Sequence, residues 1–320
     1  MTGIMIATTI ALLAVIQAAT CNVTVSPDPR NFFPGVKDNL TRIVWAHAVN
    51  SLAELEKALS SADIMMLEAD VTLGKLNNAT GSNSTDIPIM AHPPNTESDL
   101  SLENFLNINI ENNGTKGIKL DFKSIEAFEK SKEVLKNLRH GLKFPIFLNA
   151  DIISGPVNAT ATPLDAKAFL QGATKIMPEC TLSVGWTTRY GKESNITEGR
   201  YSIEHINKMI DVLKGNHISQ PVTYPVRAGL AANDIDVIKI LLKNTTFTNA
   251  TLTIWSSEGD SVDAAQLSKL IKSVGVDKVY VDVPQDLKSR LDLSAASTFS
   301  SASLMSLGMS LALLLLSRML

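Results

Sequence analysis

The sequence predicts a (β/α)8 barrel of the TIM type, built as a single domain over residues 38–292. Three observations carry this expectation. Eight short apolar runs alternate with stretches whose apolar residues recur at helical spacing. The runs are continuously apolar, as strands are when helices cover both faces of a parallel sheet. Eight such units in about 250 residues is the length of a closed barrel. The other arrangement with this pattern is an open doubly wound sheet, but no Gly-rich phosphate loop follows the first run.

In chain order, the first run is "RIVWAH" (42–47), ending on His47, and "SLAELEKALSS" follows as a helix with Ser51 at its N-cap. The second run, "IMMLEADV", leads into "KLNNATGSNSTDIPIMAHPPN", a long insertion bearing two glycosylation sequons. "SDLSLENFLNIN" reads as the next helix, with Ser98 placed to cap it. Then come "GIKLDFK", a helix capped by Ser124, "FPIFLNAD", a helix over 163–177, "TLSVGW", and a helix capped by Ser202 that ends at Gly215. "PVTYPVRA", a helix over 233–244, "TLTIWSS", a helix ending at Gly275, and "DKVYVDV" complete the set.

The ends read differently. Residues 1–20 form an apolar run of signal-peptide length with small residues near Ala18, and 21–37 form a leader. Residues 293–320 combine small residues around Ser294 to Ser297, a Ser-rich spacer and an apolar tail from Leu304 to Leu316. That tail is shorter than the roughly 20 residues of a spanning helix and fits a GPI-attachment signal. Nine N-x-[ST] sequons fit a secreted glycoprotein: Asn22, Asn39, Asn78, Asn83, Asn113, Asn158, Asn195, Asn244 and Asn249. The expected location is therefore the cell surface, attached to the outer membrane leaflet through a lipid. A net charge of -3 offers no basic surface to nucleic acid. With only Cys21 and Cys180 there is no disulfide framework, so Cys180 reads as a buried thiol and the core must hold by burial.

Within "IMMLEADV", Glu68 and Asp70 lie two residues apart in a strand, so they share a face while Leu67, Ala69 and Val71 take the other. Paired carboxylates in a low-dielectric setting call for a compensating cation. The same parity recurs at Lys119, Asp121 and Lys123, and at Asn149 and Asp151. His47, Trp186, Arg227, Trp255 and Asp282 also fall where strands end, the end at which barrel active sites form. Glu68, Asp70 and Asp121 offer three hard oxygens for Mg2+ or Ca2+. His47 and His92, the latter on the inserted loop, have the chemistry of a general acid and base. Lys123, with Lys119 or Arg227, is placed to hold an anionic oxygen. Asn149 and Asp151 line the site or cap the next helix, and Trp255 is a candidate substrate contact. His140, His205 and His217 read as surface residues.

The ordered set His47, Glu68-x-Asp70, His92, Asp121-x-Lys123 resembles the glycerophosphodiester phosphodiesterase and phospholipase-like barrels. "WAHAVNS", "LEADV", "PIMAHPP", "SDLSLENFL" and "GIKLDFK" are similar, more closely, to the menorin family of extracellular proteins with that barrel. The resemblance implies two catalytic histidines, a carboxylate-bound divalent cation and a phosphodiester substrate such as a glycerophosphodiester or lipid headgroup. It equally implies a second possibility, a non-catalytic recognition protein that binds a cell-surface protein. A glycosidase-like barrel using Asp151 and no metal is a third.

Overall fold

The computed structural model describes residues 28–36, 38–77 and 85–294. The expected signal peptide, the tail beyond Ser294 and the sequons at Asn22, Asn78 and Asn83 lie outside the described residues.

The eight apolar runs all form strands: β1 (Trp45–Ala46), β2 (Met66–Leu76), β5 (Gly117–Phe122), β6 (Ile146–Ile153), β7 (Thr181–Trp186), β8 (Val222–Arg227), β9 (Thr251–Trp255) and β10 (Val279–Asp282). They lie side by side in that order, and every neighbouring pair is parallel. Among the described residues no ladder joins β1 to β10. Side chains close that seam: the Trp45 and Tyr280 rings meet edge to face at 6.1 Å, and His47 Nδ1 lies 3.1 Å from Asp282 Oδ2.

Helices follow the strands as the apolar spacing predicts: α2 (Leu52–Ser60), α3 (Leu102–Glu111), α4 (Ile125–Leu138), α5 (Ala166–Ile176), α6 (Ile203–Gly215), α8 (Ile235–Asn244) and α9 (Ala264–Val274), with one-turn helices α1 (Pro29–Phe32), α7 (Ala228–Ala231) and α10 (Gln285–Ser289). Ser51, Ser124 and Ser202 cap their helices, each accepting a backbone N–H three residues on. Ser98 does not. It lies in a short strand, β4 (Glu97–Ser98), and its hydroxyl accepts from Leu100 N and donates to Asn50 O, so α3 is capped by Ser101.

Outward residues of the strands meet the helices in one core. Phe122, Phe128 and Phe169 stack between β5, α4 and α5, with centroids 4.8–6.2 Å apart. The strands' N-terminal ends are closed separately. Phe33, Val36, Leu40 and Ile43 pack against Met66, Phe147 and Tyr280. Residues 28–36, expected as leader, are therefore part of the barrel floor, where their apolar side chains have somewhere to go.

The insertion is more ordered than a loop. β2 pairs with β5 only through Val71 and then continues, carrying an antiparallel strand, β3 (Ile87–Met90), that delivers the chain to His92. Gly74 lets the chain entering β4 lie against β2, since a Cβ there would meet Thr96 O at 2.2 Å. Gly74→Ala is expected to destabilise by about 1–3 kcal/mol by forcing the backbones apart. Thermal unfolding of the variant checks this.

Candidate functional site

The site is assembled by register. Pairing of β2 with β5 sets Glu68 beside Lys119 and Asp70 beside Asp121, and pairing of β5 with β6 sets Asp121 beside Asn149. The turn after β1 folds down onto the same carboxylates. Ala48 N donates to Glu68 Oε2 at 2.9 Å, and Asn50 both donates to Asp70 Oδ2 at 2.8 Å and accepts from Asp70 N. This contact holds Ala48 at φ 55°, a left-handed conformation that costs a non-glycine residue roughly 1 kcal/mol. On the other side Ser183 Oγ donates to Asn149 Oδ1, and Asn149 Nδ2 donates to Asp121 Oδ1, each at 2.5 Å.

Each carboxylate is thus fixed through one oxygen by these neutral donors, and Lys123 takes the other oxygen of Asp70 and of Asp121. Glu68, Asp70 and Asp121 each bring an oxygen to a common point where all three lie within 4.8 Å of one another. Glu68 and Asp70 are buried, at 2% and 4% exposure. Burial raises the pKa of Glu68 against the pull of His47 and Lys119. In Asp121 burial pushes the same way, but Lys123 and Lys119 outweigh it and bring the pKa below the usual range. Lys123 Nζ sits between two of the three carboxylates, 2.7 Å from Asp70 Oδ1 and 2.5 Å from Asp121 Oδ2. Burial opposes its charge, yet Asp121, Asp70 and Glu68 lift its pKa well above normal.

His47 stands at the mouth, with a side chain 57% exposed. Its Nδ1 faces Asp282 at 3.1 Å and Glu68 at 3.5 Å. Glu68 above all, then Asp282, raises its pKa to about 9, so the ring is an imidazolium at neutral pH. His92 Nδ1 lies 2.7 Å from Pro93 O. A carbonyl only accepts, so Nδ1 donates to it and Nε2 is the ring nitrogen left for other partners. Both histidines line one cavity of about 350 Å³, together with Glu68, Asp70, Lys119, Asp121, Lys123, Asn149, Asp151 and Trp255.

Asp151 lines the cavity and does not cap α5, whose cap is Asp165. Gly185 on β7 leaves room for its carboxyl, since a Cβ there would come 2.8 Å from Asp151 Oδ1. Burial, then the neighbouring Asp121, pushes Asp151 up to about 7. A carboxyl with a raised folded pKa favours the fold at low pH, and that contribution is lost as pH rises from about 4 to 7. In metal-free protein Asp151→Asn is therefore expected to melt like the parent near pH 4 and to be more stable by about 1–3 kcal/mol above pH 7. Melting curves across that range check it.

Arg227 departs from expectation. It does not line the cavity. Asp260 holds its guanidinium through two hydrogen bonds of 2.8 Å, and the Trp255 and Tyr190 rings stack on it at 4.9 and 5.5 Å. Asp260 reaches it because the loop after β9 turns back through Gly259 at φ 81°, which no spacing in the sequence reveals. Trp186 is core, at 1% exposure. Among the expected surface histidines, His205 is half-buried and completes the capping box of α6. Sequence reasoning assigned no partner to Asp282 and no role to Asn50 or Ser183. Asn50 lies within the quoted motif "WAHAVNS", the one available signal.

Solved structures with similar backbones include a 2,3-dimethylmalate lyase (9% identity, TM-score 0.40, covering 90% of this chain and 86% of that one) and a GH26 domain from Prevotella bryantii (9%, TM-score 0.44, 81% and 87%). Human Protein FAM151B is 39% identical over 241 residues, 75% of this chain and 82% of that protein. The Menorin N-terminal domain matches residues 39–288. The chain belongs to the menorin family.

Proposed function

We propose that the protein is a divalent-metal phosphodiesterase acting on a small phosphodiester or a lipid headgroup. The observation that carries this reading is the convergence of Glu68, Asp70 and Asp121 on one point beside two histidines, His47 held by Asp282 and His92 held through Nδ1 by Pro93 O. The donor set fits Mg2+ or Ca2+: three hard oxygens, each carboxylate oriented through its second oxygen. Such an ion supplies Lewis-acid polarisation of a phosphoryl oxygen.

The residues divide the remaining work. His92 Nε2 accepts a proton from the attacking oxygen, water or a substrate hydroxyl, as the new P–O bond forms. His47 gives its proton to the departing alkoxide as the ester P–O bond breaks. Asp282 and Glu68 hold the His47 ring in orientation and keep it charged. Four carboxylates, Glu68, Asp70, Asp121 and Asp282, face three cationic groups, His47, Lys119 and Lys123, so the site by itself repels a phosphodiester. A bound divalent cation reverses that sign.

The reading extends to location. The asparagines of five sequons, Asn113, Asn158, Asn195, Asn244 and Asn249, are exposed, consistent with N-glycosylation on a secretory route. The terminal segments support a signal peptide and GPI attachment to the outer leaflet. Phospholipase release from intact cells tests the anchor. A phosphodiester screen with Mg2+, Ca2+ or EDTA tests the chemistry: metal-dependent turnover supports it, and its absence with every substrate and metal sinks it. The rival reading, a recognition protein for a cell-surface partner, draws support from Lys123, which already neutralises two carboxylates without an ion.

A further inference from the structure

Besides the His47 imidazolium, three lysine and arginine side chains stand near the site, and two are spent. Arg227 is consumed by Asp260 and turned away from the cavity. Lys123 is clamped between Asp70 and Asp121. Lys119 differs. It is 4% exposed, yet among the described residues its ammonium makes no ion pair and no hydrogen bond. The group is not sealed off. The enclosed side-chain polar atoms without partners are Trp45 Nε1 and Tyr224 Oη, whereas Lys119 opens on the cavity.

Its place is central. Lys119 is paired with Glu68 on one side and Phe147 on the other, one inward-facing step before Asp121. Its charge acts on His47, Glu68, Asp121 and Asp151, groups contributed from four strands or their ends. Phe147, its register neighbour on β6, packs with Trp45 and Tyr280 in the barrel floor. A buried ammonium has three N–H donors to satisfy, and leaving them unmet is costly.

We infer that Lys119, and not Lys123 or Arg227, receives an anionic oxygen of the ligand, forming an anion subsite for a tetrahedral oxyanion such as a phosphoryl group. This rests on the phosphodiesterase reading for the identity of the ligand, but not for the subsite itself. Lys123 then serves the carboxylates, and Lys119 serves the substrate.

Calorimetric titration of inorganic phosphate into the full-length protein at saturating Mg2+ tests this. Lys119→Met keeps the stem and removes the charge. It is expected to weaken phosphate binding at least about tenfold while leaving Mg2+ affinity no weaker than the parent's. Lys123→Met is expected to alter Mg2+ affinity but to bind phosphate within about threefold of the parent once Mg2+ is saturating. Phosphate binding by Lys119→Met at the parent's strength overturns the inference, as does an equal loss in Lys123→Met. A measurement on the unaltered chain covers any variant that misfolds: phosphate should shield Lys119 from acetic anhydride, read by mass spectrometry, and unchanged labelling overturns the inference. A parent that binds Mg2+ but no phosphate also overturns it while leaving the metal site standing. A parent that binds phosphate through Lys119 without binding metal overturns the phosphodiesterase reading alone.

Discussion

His47→Ala is expected to lower phosphodiester turnover by about 10²- to 10⁴-fold, the usual contribution of a positioned general acid, with the fold retained. The ring is more than half exposed and fills no core space, so its removal leaves no cavity. What disappears is the imidazolium that Glu68 and Asp282 hold at the mouth. His92→Ala is expected to act similarly through the opposite step, because its Nε2 is the ring nitrogen not engaged by Pro93 O. Steady-state kinetics on both variants, beside circular dichroism, measure this. Turnover within about threefold of the parent in both would remove the acid–base assignment and leave the barrel as a recognition module.

Lys123→Met is expected to destabilise the metal-free protein by about 3–5 kcal/mol, because it leaves the buried Asp70 and the half-buried Asp121 without their partner. Two unit charges about 4 Å apart repel by roughly 4 kcal/mol at an effective dielectric of 20, which sets the scale. In a domain this size that is a fall of roughly 10 °C in Tm. Mg2+ should restore much of it, since a bound ion takes over the compensation that Lys123 provided. The parent should respond to chelation less than the bare pair of Glu68 and Asp70 suggests, because Lys123 already neutralises part of the charge. A variant that melts like the parent in EDTA would mean that the Lys123 contacts contribute nothing.

The barrel was legible because strand and helix periodicities are local properties. "IMMLEADV" and "GIKLDFK" each announce a strand by continuous apolar residues, and their charged positions announce a shared face by parity. Parity also brought Glu68, Asp70, Asp121, Lys123 and Asn149 together correctly, since parallel register carries one strand's inward face onto the next. What sequence could not show was pairing between distant segments. Asp282 meets His47 across the seam that closes the barrel, 235 residues away in the chain. Asp260 captures Arg227 through a loop whose turn depends on Gly259. Residues 28–36 look like polar leader with a few apolar residues, and only the open floor of the barrel gives Phe33 and Val36 a reason to pack. Ser98 shows the same limit on a smaller scale. It has the chemistry of a cap, but β4 claims it first.

Binding of a divalent cation by Glu68, Asp70 and Asp121 is decided by titrating Mg2+ and Ca2+ into metal-free parent and Asp121→Asn. Asp121 supplies an oxygen to the common point and takes part in holding Lys123, so Asp121→Asn removes a ligand while preserving shape. Saturable binding of a single ion is expected to raise the Tm of the parent and to be weakened by at least about tenfold in Asp121→Asn. No binding and no change in Tm with millimolar Mg2+ or Ca2+, or equal binding by parent and Asp121→Asn, would contradict it.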